Sequence, residues 1–234
     1  MRRLPIVALV VLSIGPVVLA PAAQASEYLC NGKAETCKIL GSNLAAFTLE
    51  DRGLPAAVEC PVEAVKSEGT AGPGAGAEIT SVAFTVASCV PAAKALNLKQ
   101  ENETNACEDV LNVRPLNLPW KIPISEGMSN DWFVLIESGG KGQPGYEIEC
   151  EIDELHFDDA CLSAVGNDLL VLTENLAAEG TEPALLTTIF PGSVILAPAE
   201  AAKCSLGGAE QGFVSGEILL AAWTGTAFES LAIN

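Results

Sequence analysis

Eight cysteines, Cys30, Cys37, Cys60, Cys89, Cys107, Cys150, Cys161 and Cys204, all follow an export-type leader. No other feature limits so sharply what this chain can fold into. Met1-Arg2-Arg3 is a positive head, and Leu4 to Ala20 is almost continuously apolar. Ala23-Gln24-Ala25 then places small residues where a signal peptidase reads, so residues 1–25 are expected to be a signal peptide cleaved before Ser26. As a membrane anchor the stretch is short for a span of ~20 residues, and Pro16 and Pro21 break it. A lipoprotein needs a cysteine directly after the cleavage point, and Cys30 comes too late. The mature protein is expected to be secreted or extracellular, in contact with the cell surface or released, with no membrane insertion after cleavage.

Outside the cytoplasm nothing keeps thiols reduced, so an even number of cysteines argues for disulfides. Zinc is excluded by spacing: there is no Cys-x-x-Cys, and His156 is the single histidine. Eight cysteines allow about a hundred connectivities. Proximity and facing favour Cys30–Cys37, Cys60–Cys150, Cys89–Cys107 and Cys161–Cys204. The rival set contains Cys60–Cys204 and Cys150–Cys161.

Loss of Arg2 and Arg3 with the leader takes the formal charge from -18 to -20. Such a surface repels phosphate backbones, which excludes nucleic-acid partners, and it disfavours docking on anionic lipid.

Helical periodicity is almost absent. Short alternating or wholly apolar runs punctuated by Gly, Pro and Asn recur instead, the pattern of antiparallel strands. In the run 146–153, Tyr146, Ile148, Cys150 and Ile152 point one way while Glu147, Glu149, Glu151 and Asp153 form an acidic outer row. The apolar phase slips at Asp153-Glu154, which calls for a bend, with Leu155 and Phe157 continuing the inner face. Trp132 to Ile136, the loop 139–145 and this strand together read as a hairpin. Further strands are expected near 45–50, 56–65, 77–88, 108–113, 168–173, 184–190, 193–197, 211–222 and 226–233, with a turn at Thr224-Gly225. The Gly-rich stretch 67–77 reads as a flexible loop. The expected fold is all-β: an antiparallel β-sandwich or barrel-like domain over 45–234, stabilised by disulfides and preceded by a small cysteine-looped segment, 26–44. Val58-Glu59-Cys60-Pro61-Val62-Glu63 and Ile148-Glu149-Cys150-Glu151-Ile152-Asp153 echo each other, which is compatible with two related halves near 45–125 and 131–234.

The leader, Val58-Glu59-Cys60, Phe84-Thr85-Val86-Ala87-Ser88-Cys89, Tyr146-Glu147-Ile148-Glu149-Cys150 and Cys204-Ser205-Leu206-Gly207-Gly208 resemble a group of exported cysteine-containing β-proteins of soil actinobacteria. The resemblance implies an exported β fold. It carries no assigned activity and no catalytic residues.

Catalytic chemistry finds little support. A serine–histidine mechanism would depend on His156, which faces away from Leu155 and Phe157, and no Gly-x-Ser-x-Gly elbow exists. A polysaccharide hydrolase using a carboxylate pair is the alternative to a non-enzymatic structural or binding protein. Thirty acidic residues supply many such pairs, but aromatics for stacking on sugar make up only 5% of the chain. Asp153, Glu154, Asp158 and Asp159, crowded at the bend, are a candidate Ca²⁺ site; alternate carboxylates along a strand lie ~6.5–7 Å apart, too far to share one ion. Trp120, between Pro119 and Pro123 in a segment expected to be extended, is the candidate ligand contact, suited to a cell-wall polymer or polysaccharide. Trp132 and Trp223 are expected in the core. No other cofactor is implied.

Overall fold

The computed structural model describes residues 26–51, 56–74, 76–92, 107–124, 131–152, 154–163, 169–176, 185–196, 204 and 211–234. Residues 1–25, expected to be a signal peptide, lie outside them. The strands in chain order are β1 (Tyr28–Cys30), β2 (Cys37–Asn43), β3 (Phe47–Asp51), β4 (Ala56–Cys60), β5 (Val65–Gly72), β6 (Gly76–Phe84) and β7 (Val90–Pro91). They continue with β8 (Asp109–Leu116), β9 (Trp120–Ile122), β10 (Asp131–Ser138), β11 (Gly145–Ile152), β12 (Leu155–Leu162), β13 (Leu169–Leu176), β14 (Leu185–Leu196), β15 (Gln211–Trp223), β16 (Phe228–Glu229) and β17 (Leu231–Ile233). The protein is all-β and antiparallel.

Its main sheet is barrel-like. Pairing runs β14-β13-β10-β9-β6-β5-β2-β15, and β15 pairs back to β14, so eight strands form a circuit. β15 makes this work with both of its edges. Along one edge it pairs β14 and then β16; along the other it pairs β3 through Gly212–Ser215 and β2 through Ile218–Trp223. The sheet therefore forks at β2 and β3, and β3-β4-β7 leaves the circuit as a branch. A separate sheet, β12-β11-β8, packs beside the branch, and β1 pairs β17, joining the chain's two ends.

Alternation decides which side chains face inward. On β5, Val65, Ser67 and Ala71 are buried while Lys66, Glu68 and Thr70 are exposed. On β15, Val214, Ile218, Leu220 and Ala222 share the inner parity. Ile39, Ile79, Ile122 and Ile136 close the same interior. Each such side chain withdrawn from water contributes about 1.5–3 kcal/mol.

The stretch 67–77, expected as a flexible loop, is instead the end of β5, a turn and the start of β6. Its glycines are a packing requirement: a Cβ on Gly69 would strike the Glu78 carbonyl of the neighbouring strand. The expected hairpin of 132–136 with 146–152 also does not form. β10 pairs β9 and β13 in the circuit, whereas β11 pairs β8 and β12 in the smaller sheet. The loop between them crosses from one sheet to the other. The phase slip at Asp153-Glu154 is the turn of the β11–β12 hairpin, with Ile152 opposite Leu155 and Glu154 in the left-handed region (φ 64°). Leu155, expected inside, is exposed.

Four disulfides are present: Cys30–Cys37, Cys60–Cys89, Cys107–Cys150 and Cys161–Cys204. The expected Cys60–Cys150 and Cys89–Cys107 pairs are corrected. Cys60 is on β4 and Cys150 on β11, in different sheets, so the two do not meet across the core. β4 pairs β7 at Glu59 and Val90, which brings Cys89 beside Cys60 with Cα atoms 4.1 Å apart. Glu108 donates its N–H to the Glu151 carbonyl at 2.8 Å, which brings Cys107 alongside Cys150. Strand adjacency sets both bridges.

Two polar devices complete the frame. Asn43, 0% exposed, donates through Nδ2 to the Ala45 and Pro61 carbonyls (2.7 and 2.8 Å). Its Oδ1 accepts from the Val65 N–H at 2.9 Å, so one amide ties the β2–β3 and β4–β5 turns together. At the junction of the sheets, the Tyr146 hydroxyl donates to the Glu50 carbonyl of β3. Gly212 of β15 passes so close that a Cβ there would lie 2.9 Å from both Tyr146 Oη and Cys161 Cβ.

Peptide mapping without reduction is expected to recover Cys60–Cys89 and Cys107–Cys150 peptides; a Cys60–Cys150 peptide would contradict the sheet arrangement. Gly212→Ala is expected to lower stability by about 1–3 kcal/mol through overpacking of the junction. A denaturant midpoint equal to that of the wild type would show that the junction yields freely.

Candidate functional site

The acidic outer row of β11 is met by partners from the strands beside it. Glu147, 9% exposed, is opposite Arg114 of β8 and forms an ion pair with it. Glu149 accepts a hydrogen bond from Asn112 Nδ2 at 3.1 Å. Glu151 lies 3.3 Å from His156 Nε2, across the hairpin. His156 is exposed on the strand surface, as an imidazole facing away from the apolar residues should be. These acids are consumed by cross-strand pairing.

The four acids of the candidate Ca²⁺ site are not brought together. Asp158 and Asp159 are consecutive on β12 and point to opposite faces; Asp158 is exposed and Asp159 is 1% exposed. Glu154 is exposed at the turn, and Asp153 lies outside the described residues. The structure instead gathers Asp159 with Asp51, also 1% exposed, and with the Cys161–Cys204 bridge, ligand-type atoms of all four lying within 4.8 Å of one another. The two sulfurs are bonded to each other and offer no thiolate.

Trp120 opens the extended β9, but its ring is not fully displayed to solvent. Asn117 adopts a left-handed conformation (φ 59°) and the Leu118–Pro119 bond is cis. The chain folds back so that the indole Nε1 donates to the Leu116 carbonyl at 2.8 Å. Asn117 Nδ2 holds the bend by donating to the Gln143 carbonyl, also at 2.8 Å. The ring is laid against the inside of the sheet, half-buried. Trp223, expected in the core, is only half-buried and stacks on the exposed Phe228, ring centroids 4.8 Å apart. The side chain of Trp132 lies outside the described residues.

What Trp120 does line is a continuous apolar hollow. One part, about 40 Å³, lies inside the eight-strand circuit between β5, β6, β9, β10 and β15. A second part, about 60 Å³, extends to the junction where β3, β8 and β11 meet the circuit. Val82, Trp120 and Ile218 belong to both. An eight-stranded barrel is just wide enough to be filled by side chains or to hold one small ligand. Among the described residues, no carboxylate, amine or imidazole lines either part. Two hydroxyls do: Tyr146, bonded to Glu50, and Ser67. The hydrophobic periodicity marks these strands as core-forming, but nothing in it distinguishes a filled interior from a hollow one.

At the end of the circuit, Tyr28 is buried and its hydroxyl points at the Ile122 carbonyl, 3.4 Å away. Burial pushes its phenol well above the ordinary tyrosine range, because the tyrosinate would lose its hydration. Unfolded chains ionise at about pH 10 while the folded phenol keeps its proton, so Tyr28 stabilises the fold fully below that pH. Its contribution is lost progressively as pH rises above it. The denaturant midpoint of the wild type is therefore expected to fall above about pH 10 more steeply than that of Tyr28→Phe. Parallel curves would show that Tyr28 ionises freely in the folded state.

No protein-family model, curated protein or solved structure matches this chain.

Proposed function

We propose that the chain is an exported, non-enzymatic extracellular protein whose role is binding. Four disulfides fit an oxidising, extracytoplasmic setting, and no helix among the described residues is long and apolar enough to cross a membrane. The observation that carries the binding role is the apolar hollow of the circuit, whose described lining holds no acid–base group. Asp51 and Asp159 lie close enough to suggest a hydrolytic carboxylate pair, but both are buried beside a disulfide and neither lines the hollow. A glycosidase needs its pair in an open cleft with room for a sugar between the carboxyls. The resemblance to exported cysteine-containing β-proteins enters this reading as support for location only.

The test mixes mature protein with insoluble cell walls and polysaccharides, with and without Ca²⁺, and measures both protein depletion and release of reducing ends. No release is expected. Release that Asp51→Asn abolishes, in a variant with all four disulfides intact, would overturn the non-enzymatic reading. Depletion without release assigns the protein to a cell-surface polymer, and neither effect assigns it to the medium.

A further inference from the structure

Asn31-Gly32 is the sequence's one Asn-Gly pair, and the fold places it at the tip of the tight turn that follows β1. Cys30 and Lys33 face each other across that turn, each donating its N–H to the other's carbonyl, at 2.8 and 3.0 Å. Both central residues occupy the left-handed region, Asn31 with φ 51° and Gly32 with φ 72°, as a two-residue turn of this kind requires. Both are exposed, and a Cβ built on Gly32 would meet nothing within 4 Å. Neither the Asn31 side chain nor the Gly32 N–H has a hydrogen-bond partner among the described residues. The backbone at Asn31 is held: its N–H donates to the Ser230 carbonyl at 2.8 Å and extends the β1–β17 pairing by one rung.

We infer that Asn31 is a self-modification site: its side chain deamidates through a succinimide formed with the Gly32 nitrogen, and the resulting isoaspartate loosens the clasp between the chain's two ends. In the first step hydroxide removes the Gly32 amide proton and the nitrogen attacks Cγ of Asn31. The bond from Gly32 N to Asn31 Cγ forms, the bond from Cγ to Nδ2 breaks, and Nδ2 takes a proton from water and leaves as ammonia. In the second step water adds to one of the two imide carbonyls and opens the ring. Opening at Cγ gives aspartate, and opening at the backbone carbonyl gives isoaspartate; neither route needs an oxidant or a reductant. Glycine has no Cβ to crowd the attacking nitrogen, whereas every other asparagine of the chain precedes a residue that has one or ends the chain. Exposure lets hydroxide and water reach both reacting atoms. Aspartate keeps the backbone length and tolerates the left-handed region, so with it the turn survives. Isoaspartate routes the main chain through Cβ and Cγ and adds one atom to the two-residue turn. The Cys30–Lys33 pair then loses its register, and the rung to Ser230 is lost with it. The modification is independent of the binding role proposed above.

The experiment ages the mature, disulfide-intact protein in warm, mildly alkaline buffer. It follows ammonia release, the mass of the peptide spanning Asn31-Gly32, and enzymatic methylation of isoaspartate. Isoaspartate is expected at Asn31, forming faster as the pH is raised. The folding equilibrium constant of the isoaspartyl fraction is expected about two- to tenfold below that of fresh protein, the worth of one backbone hydrogen bond. Fresh Asn31→Asp, which carries the new charge without the longer backbone, should unfold at the wild-type denaturant midpoint. Asn31→Gly keeps a turn of this type and has no side-chain amide, so its midpoint should not change on ageing. No isoaspartate at Asn31 in the folded protein, under conditions in which the reduced, unfolded chain acquires it, would overturn the inference. An isoaspartyl fraction as stable as fresh protein would overturn the loosening of the clasp, as would an equal loss of stability in aged Asn31→Gly.

Discussion

The structure depends on a single strand using both of its edges along nearly its whole length. β15 takes β14 and β16 on one side and β3 and β2 on the other, so the backbone groups facing both of its edges find partners while its inner residues, Val214, Ile218, Leu220 and Ala222, line the circuit. Without the β14–β15 pairing the circuit would open into a long sheet with two free edges, a form prone to pairing with other chains. Without the division of its other edge between β3 and β2, the sheet would not fork, and the smaller sheet would have no branch to pack beside.

The disulfides support this arrangement locally. Cys60–Cys89 holds β7 against β4 at the tip of the branch, and Cys107–Cys150 anchors the entry to β8 beside β11. Cys161–Cys204 lies where β12 approaches β15 at Gly212. Each bridge limits the freedom of the unfolded chain, worth ~2–4 kcal/mol in the chain-entropy account. That is a substantial stabilisation for a protein whose interior is incompletely filled, because contacts missing from a hollow have to be replaced elsewhere.

Charge is handled in the same local way. The sequence carries 30 acids against 12 lysines and arginines, yet the acids of β11 meet Arg114, Asn112 and His156 across the strand. Lys38–Glu68 adds an exposed pair on β2 and β5, which contributes little. Glu50, Asp51 and Asp159 are buried, while acids such as Glu59, Glu68, Glu154 and Asp158 are exposed, and the described lining of the hollow has none.

The sequence by itself determined the class of fold. Period-two alternation, as in Tyr146 to Asp153, is written by neighbouring residues and survives without any knowledge of the partner strand, and eight cysteines behind an export leader imply bridges. The turn at Thr224-Gly225 was equally legible, since Thr224 and Ala227 close it through their own backbone atoms. Pairing was not legible, because it joins residues far apart in the chain. Whether Cys60 meets Cys89 or Cys150 depends on β7 lying beside β4, and no local pattern encodes that. The same holds for the 67–77 stretch, whose small residues look like a loop until Glu78 and Gly41 are placed next to them. Trp120 was found as a candidate contact, but only the bend at Asn117 and Pro119 turns it from the surface into the wall of a hollow. Ser67 carried no signal at all: one serine in a glycine-rich run becomes distinctive only when tertiary structure surrounds its hydroxyl with apolar side chains and leaves it the polar group facing an empty space.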